Sequence, residues 1–150
     1  FMVNVDVMQM VAAAPNEISK LLLDHQQLHR FFDAKFAVAK TADDGEPAGG
    51  KGAIRNVSVA GVKFSEQVLF TSSNQIRYAI VGDKPLSNHQ GNIYLTAQTP
   101  TQTSVRYTIV CNGPKWLPEK WVEFFLAQAM KKALVKINQY FLLHKNRRTV

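Results

Sequence analysis

A chain of 150 residues, 46% hydrophobic, with 8 Gly and 6 Pro, has the make-up of one globular domain large enough to bury its own core. Its 18 basic residues outnumber 11 acidic ones, a formal charge of +7, but they are scattered apart from Lys145, Arg147 and Arg148, so nucleic acid is not an expected partner. No apolar run approaches the roughly 20 residues that span a bilayer, and no charged stretch followed by an apolar block opens the chain, so neither a transmembrane segment nor a leader is expected.

Cys111 is the single cysteine, which excludes an internal disulfide and suits a reducing compartment. The cytoplasm is the expected location.

The chain opens on alternation. Val3, Val5 and Val7 fall on one side and Asn4, Asp6 and Met8 on the other, which predicts a strand over 2–11. Pro15, Asn16 and Glu17 then open a short helix carrying Ile18, Leu21 and Leu22. A second short helix takes in Leu28, Phe31 and Phe32. Val38 lies in a further strand, followed by a polar loop over 41–51 rich in Asp and Gly.

From there a meander is predicted over 53–59, 62–71, 75–81, 89–98 and 104–111. Its breaks have turn chemistry: Ala60-Gly61, Ser72-Ser73-Asn74, Gly82-Asp83-Lys84-Pro85 and Thr99-Pro100-Thr101. The last element is a long helix over 118–143, with Pro118 at its first position and Glu119 near the positive end of its dipole. Trp121/Val122, Phe125/Leu126, Ala129/Met130, Ala133/Leu134, Ile137 and Tyr140/Phe141 make one broad apolar stripe. Lys131, Lys132, Lys136 and Gln139 fall opposite. Such a helix is about 39 Å long and needs an apolar partner of similar extent, which only the strands supply. An α+β fold in one domain over 1–150 follows.

Several pieces of this order are more specific. Ala14-Pro15-Asn16-Glu17-Ile18 follows the first strand, and Leu23-Asp24-His25 leads to Phe31-Phe32. Gly50-Lys51-Gly52-Ala53-Ile54-Arg55 opens the meander, and Glu66, Tyr78, Gly91-Asn92-Ile93 and the C-terminal helix complete the series. Together they resemble the START/Bet v 1-like (SRPBCC, helix-grip) superfamily, and within it the polyketide cyclase/dehydrase and lipid-transport group. That resemblance implies a curved antiparallel sheet wrapped around the long C-terminal helix, two short helices after the first strand, and an internal cavity. The fold hosts carriers, receptors and enzymes, so function must come from the site.

Strand parity nominates that site. Arg55 shares a face with Val57 and Val59, and Glu66 with Val62, Phe64, Val68 and Phe70. Tyr78 goes with Ile76 and Ile80, His89 and Gly91 with Ile93 and Leu95, and Tyr107 and Cys111 with Val105 and Ile109. Arg55, Glu66, Tyr78, His89 and Tyr107 are therefore predicted to face the helix, unless a bulge flips them. An unpaired charge facing a core costs several kcal/mol. Arg55 and Glu66 must then pair at a solvated cavity mouth, with Tyr78 completing the hydrogen bonds, or anchor the polar end of a greasy ligand.

The expected function is binding, sequestration or transport of a hydrophobic small molecule or lipid. The expected ligand-binding set is Arg55, Phe64, Glu66, Tyr78, His89, Tyr107, Phe125 and Met130. The alternative is a cyclase or dehydratase acting on a polyketide-like or aromatic substrate, with Glu66 as base and Arg55 as oxyanion stabiliser. His89 would be its acid, although a strand start predicts a solvated rim position.

A third reading docks the basic tail and the Lys131, Lys132 and Lys136 face onto an acidic partner or membrane, by weak peripheral contact with an anionic surface. No cofactor and no metal are expected. His25 and His29 stand four apart without a third ligand and read as two exposed histidines. Gly49-Gly50-Lys51-Gly52 lacks the ending of a phosphate loop and precedes a strand. Asn56-Val57-Ser58 matches a glycosylation sequon but lies within a strand. Cys111 and Trp121 are expected in the core, and Trp116 at a cavity entrance.

Overall fold

β1 (Val3–Val11) buries Val3, Val5, Val7 and Val11 on one face, as its alternation requires. The computed structural model describes residues 2–148, with side chains over 2–144, so the side chains of Lys145, Arg147 and Arg148 lie outside the described residues. After β1 come α1 (Pro15–Leu23), a 3-10 helix (His25–Arg30), and β2 (Lys35–Lys40). The meander is β3 (Ile54–Val59), β4 (Val62–Thr71), β5 (Gln75–Ile80), β6 (Ser87–Thr99) and β7 (Gln102–Asn112). α2 (Glu119–Arg148) follows.

The strands form one seven-stranded antiparallel sheet in the order β1-β7-β6-β5-β4-β3-β2. From β2 to β7 each strand pairs with its successor. β1 instead pairs with β7, Val3 opposite Cys111 and Val11 opposite Thr103. Because β1 and β2 occupy opposite edges, α1 and the 3-10 helix must cross the width of the sheet between them. The sheet is curved, and with α2 it makes a helix-grip fold.

Polar contacts hold the β1–α1 corner. Thr103, fully buried, donates its hydroxyl to the Ala13 carbonyl at 2.7 Å. The Asn138 side-chain oxygen accepts from the Ala12 N–H at 3.0 Å, which pins α2 across that corner. Ile18, Leu134, Ile137, Val3, Val11 and Val105 form the most completely buried part of the core.

Four details depart from the sequence reading. Phe31 and Phe32 lie beyond the second helix, which is a single 3-10 stretch ending at Arg30. Pro118 precedes α2: its carbonyl accepts from the N–H groups of Trp121 and Val122. A register shift between Val68 and Phe70 leaves both Leu69 and Phe70 exposed, so parity fails beyond Val68.

The broad stripe of α2 is the fourth. Successive residues lie 100° apart, so pairs such as 121/122 and 125/126 span more arc than one sheet face can cover. The core takes Val122 and Met130 and leaves Trp121 and Phe125 exposed. Trp121 is thus not a core residue.

Candidate functional site

Arg55 and Glu66 are direct cross-strand partners on β3 and β4, so their side chains rise side by side from the same face. Arg55 Nε donates to Glu66 Oε1 at 2.9 Å, and the two residues are only 8% and 9% exposed. The guanidinium carbon lies 5.0 Å from the centre of the Tyr78 ring and 5.7 Å from that of Phe36. The hydrogen bond of the pair uses the Nε–H of Arg55; its terminal amino groups make no hydrogen bond among the described residues.

Tyr78 sits on β5 opposite Gly91 of β6. A Cβ at Gly91 would meet the Tyr78 ring at 2.4 Å, so glycine is what lets the ring lie across β6. The hydroxyl thereby reaches the Tyr107 hydroxyl on β7, and the two form a hydrogen bond. Tyr78 was expected to complete the hydrogen bonds of the ion pair. It meets Arg55 through its ring face instead, and spends its hydroxyl on Tyr107.

Burial raises both phenols above the ordinary tyrosine value. For Tyr78 the neighbouring Tyr107 and Glu66 add to the effect, and for Tyr107 Glu66 does.

His89 is buried, against the expectation of a solvated rim, because β6 begins at Ser87 and carries it over the sheet. Its Nδ1 accepts from the Ile80 N–H at 3.2 Å, which places the proton of the neutral ring on Nε2. Burial, then the charge of Arg55, lowers its pKa to about 4. The ring stands 5.5 Å from that of Tyr78.

These groups share one cavity of about 610 Å³ between the sheet, α1, the 3-10 helix and α2. Arg55, Phe64, Glu66, Tyr78, His89, Tyr107, Phe125 and Met130 all line it. Apolar side chains make up most of the remaining wall, among them Phe31, Phe32, Phe36 and Leu86, which sequence reasoning did not place at the site. A period-two signal was available for Phe36 in its short strand; for the others only the tertiary packing decides. Exposed Val62, Trp116 and Phe125 mark where the cavity meets solvent.

A second groove, of about 930 Å³, lies between α1, the 41–51 loop and the β4–β5 turn. It is larger, but it contains none of the charged and phenolic cluster. His25 lines it, 3% exposed, so only His29 of that pair is exposed as expected. Burial and the charge of Arg55 lower the His25 pKa to about 4. No group of three metal-ligating side chains occurs among the described residues. Cys111 is a core residue as expected, its thiol pushed up to about 11 by burial.

Chemically, the cavity offers apolar volume, one buried cation with free donors, a carboxylate and a phenol pair. The family model for "Polyketide cyclase / dehydrase and lipid transport" matches residues 2–141. No curated protein matches the chain by sequence.

Among solved structures, a START superfamily protein from Mycobacterium smegmatis superposes with a TM-score of 0.76 at 14% identity, covering 91% of this chain and 95% of the other. The protein XoxI from Bacillus cereus gives 0.71 at 12%, covering 93% and 96%. A protein from Thermobifida fusca gives 0.67 at 15%, covering 91% and 94%. At such identities these likenesses concern the fold alone.

Proposed function

The chain belongs to the polyketide cyclase/dehydrase and lipid transport family, and on that footing we propose that it binds and carries a hydrophobic small molecule or lipid with an anionic or carbonyl oxygen at one end. The observation that carries this reading is the Arg55–Glu66 pair, buried in an apolar cavity with Arg55 donors left over. Taking a guanidinium out of water costs several kcal/mol unless its N–H groups find acceptors. A ligand oxygen on the terminal amino groups supplies them. The tail then runs past Phe64, Met130 and Phe125 toward the mouth, and Tyr78, Tyr107 and His89 set its orientation.

Native mass spectrometry of gently purified protein is the direct test, with a thermal-shift panel of fatty acids and aromatic carboxylates beside it. A co-purifying mass or a ligand-induced shift is expected. Protein that is repeatedly empty and shifted by no member of the panel overturns the reading.

The phenol pair favours a second reading, as a cyclase or dehydratase acting on a polyketide-like or aromatic substrate. Glu66 is its base, taking a proton from the substrate carbon and returning it to the departing hydroxyl so that water leaves; Arg55 holds the developing oxyanion, and the Tyr78–Tyr107 pair orients the substrate by hydrogen bonding. Glu66 already accepts from Arg55, so acting as a base requires one of its oxygens to turn from that contact toward the substrate. Glu66→Gln separates the readings: a binding protein keeps its ligand and has no turnover to lose, whereas the enzyme loses turnover while still binding.

A further inference from the structure

Both tryptophans of the chain stand out of the fold: Trp116 is 81% exposed and Trp121 60%, with Phe124 at 59% and Phe125 at 60%. Trp121, Phe124 and Phe125 recur at i, i+3 and i+4, so they share one face of the first turns of α2, turned away from the core side of Val122 and Met130. The two phenylalanine rings meet edge-on at 5.8 Å. Trp116 precedes the helix, and with Phe125 it lines the mouth of the cavity, where Val59 and Val62 of the β3–β4 hairpin are also exposed. So large an exposed apolar patch marks an interaction surface.

The exposed charges just before α2 and on its first turn are basic. Lys115 adjoins Trp116 and Lys120 adjoins Trp121; both are exposed, and neither makes an ion pair among the described residues. Glu119 and Glu123, on the same turns, are half-buried. Farther along α2, Lys132 and Lys136 are already engaged with Asp33, at 2.7 and 3.6 Å. The free lysines at the patch are therefore those next to the tryptophans. A second copy docking by two-fold symmetry would set these lysines against themselves, which like charge opposes. An anionic bilayer offers the complement to both features: indole rings settle at head-group depth and ammonium groups meet lipid phosphate.

We propose that this rim is a membrane-docking surface, seating the start of α2 in the head-group region of an anionic bilayer with the cavity mouth turned to the lipid. Ligand then passes between bilayer and cavity without crossing water, a consequence that rests on the carrier reading above. Docking itself does not depend on it.

Vesicles of phosphatidylcholine, alone or mixed with phosphatidylglycerol, test the proposal. Because both tryptophans lie in the patch, intrinsic fluorescence reports on it directly. The expected result is co-sedimentation and a blue-shifted emission with the mixed vesicles, weakening as salt is raised and falling sharply with phosphatidylcholine alone. Trp121→Ala/Phe124→Ala, which leaves the cavity wall untouched and keeps Trp116 as reporter, is expected to lower partitioning about tenfold or more. Lys115→Glu/Lys120→Glu is expected to remove the preference for anionic vesicles, and circular dichroism checks that both variants fold.

No sedimentation and no shift with mixed vesicles overturns the proposal, as does unchanged partitioning of either variant. So does a blue shift that appears without lipid as concentration rises, together with a dimer by light scattering. Vesicle binding by a protein that never holds a ligand leaves docking standing and removes the carrier reading; a loaded protein that ignores vesicles does the reverse.

Discussion

Arg55 and Glu66 have lost most of their water, and each is the other's principal counter-charge. Removing one partner therefore leaves a buried charge uncompensated: Glu66→Ala is expected to cost about 3–5 kcal/mol in denaturant melts. Arg55→Met/Glu66→Leu removes both charges and is expected to be neutral, or more stable by about 1–4 kcal/mol, while losing ligand retention. A double variant that still holds ligand would show that the pair is structural only. His25 and His89 add a pH dependence. Their folded pKa values lie near 4, below the ordinary 6.5, so between those limits the unfolded chain binds more protons than the native one. Stability is then highest above about pH 6.5 and falls as pH drops toward 4. Unfolding midpoints followed across this window are expected to decline, and less steeply in His89→Gln.

At the scale of elements, α2 has two sides with different work. Leu134 and Ile137 are sealed in the core, so Ile137→Ala is expected to cost about 2–5 kcal/mol. Trp121→Ser, on the outer side, is expected to change stability by no more than about 0.5 kcal/mol, against the usual rule for a deleted tryptophan. Equilibrium unfolding of the two variants checks the contrast; equal losses would mean that Trp121 is packed after all. β6 carries a second such device. Gly91→Ala is expected to push Tyr78 off the strand and break its hydroxyl contact with Tyr107, because the new methyl would fall within 2.4 Å of the ring. Near-ultraviolet circular dichroism of the tyrosines registers that displacement.

For the whole molecule, the sheet, the crossing helices and α2 enclose a cavity whose mouth lies beside the exposed aromatic rim. Ligand that binds only the folded state stabilises it by mass action, about 2.7 kcal/mol at a hundredfold excess over Kd. For a domain of this size that raises Tm by about 5–10 °C. A shift of that order with a carboxylate-bearing lipid, absent in Arg55→Met/Glu66→Leu, is the expected thermal-melt result. An equal shift in the double variant would move the anchoring role away from Arg55.

What the sequence determined by itself was whatever repeats locally. Alternation placed Val3, Val5 and Val7 inside, and put Arg55, Glu66, Tyr78, His89 and Tyr107 on one face of the sheet. Turn chemistry divided the meander at the right points, and apolar spacing found α2. Tertiary structure alone decided how much of each periodic face is covered. A helix stripe read from spacing has no width until a partner limits it, which is why Trp121 and Phe125 are exposed. One bulge after Val68 reversed Phe70, because side-chain parity survives only while pairing is regular. The partners of Tyr78 and the burial of His25 and His89 depend on strands and loops brought together from distant parts of the chain. Contacts of that kind leave no period in a sequence.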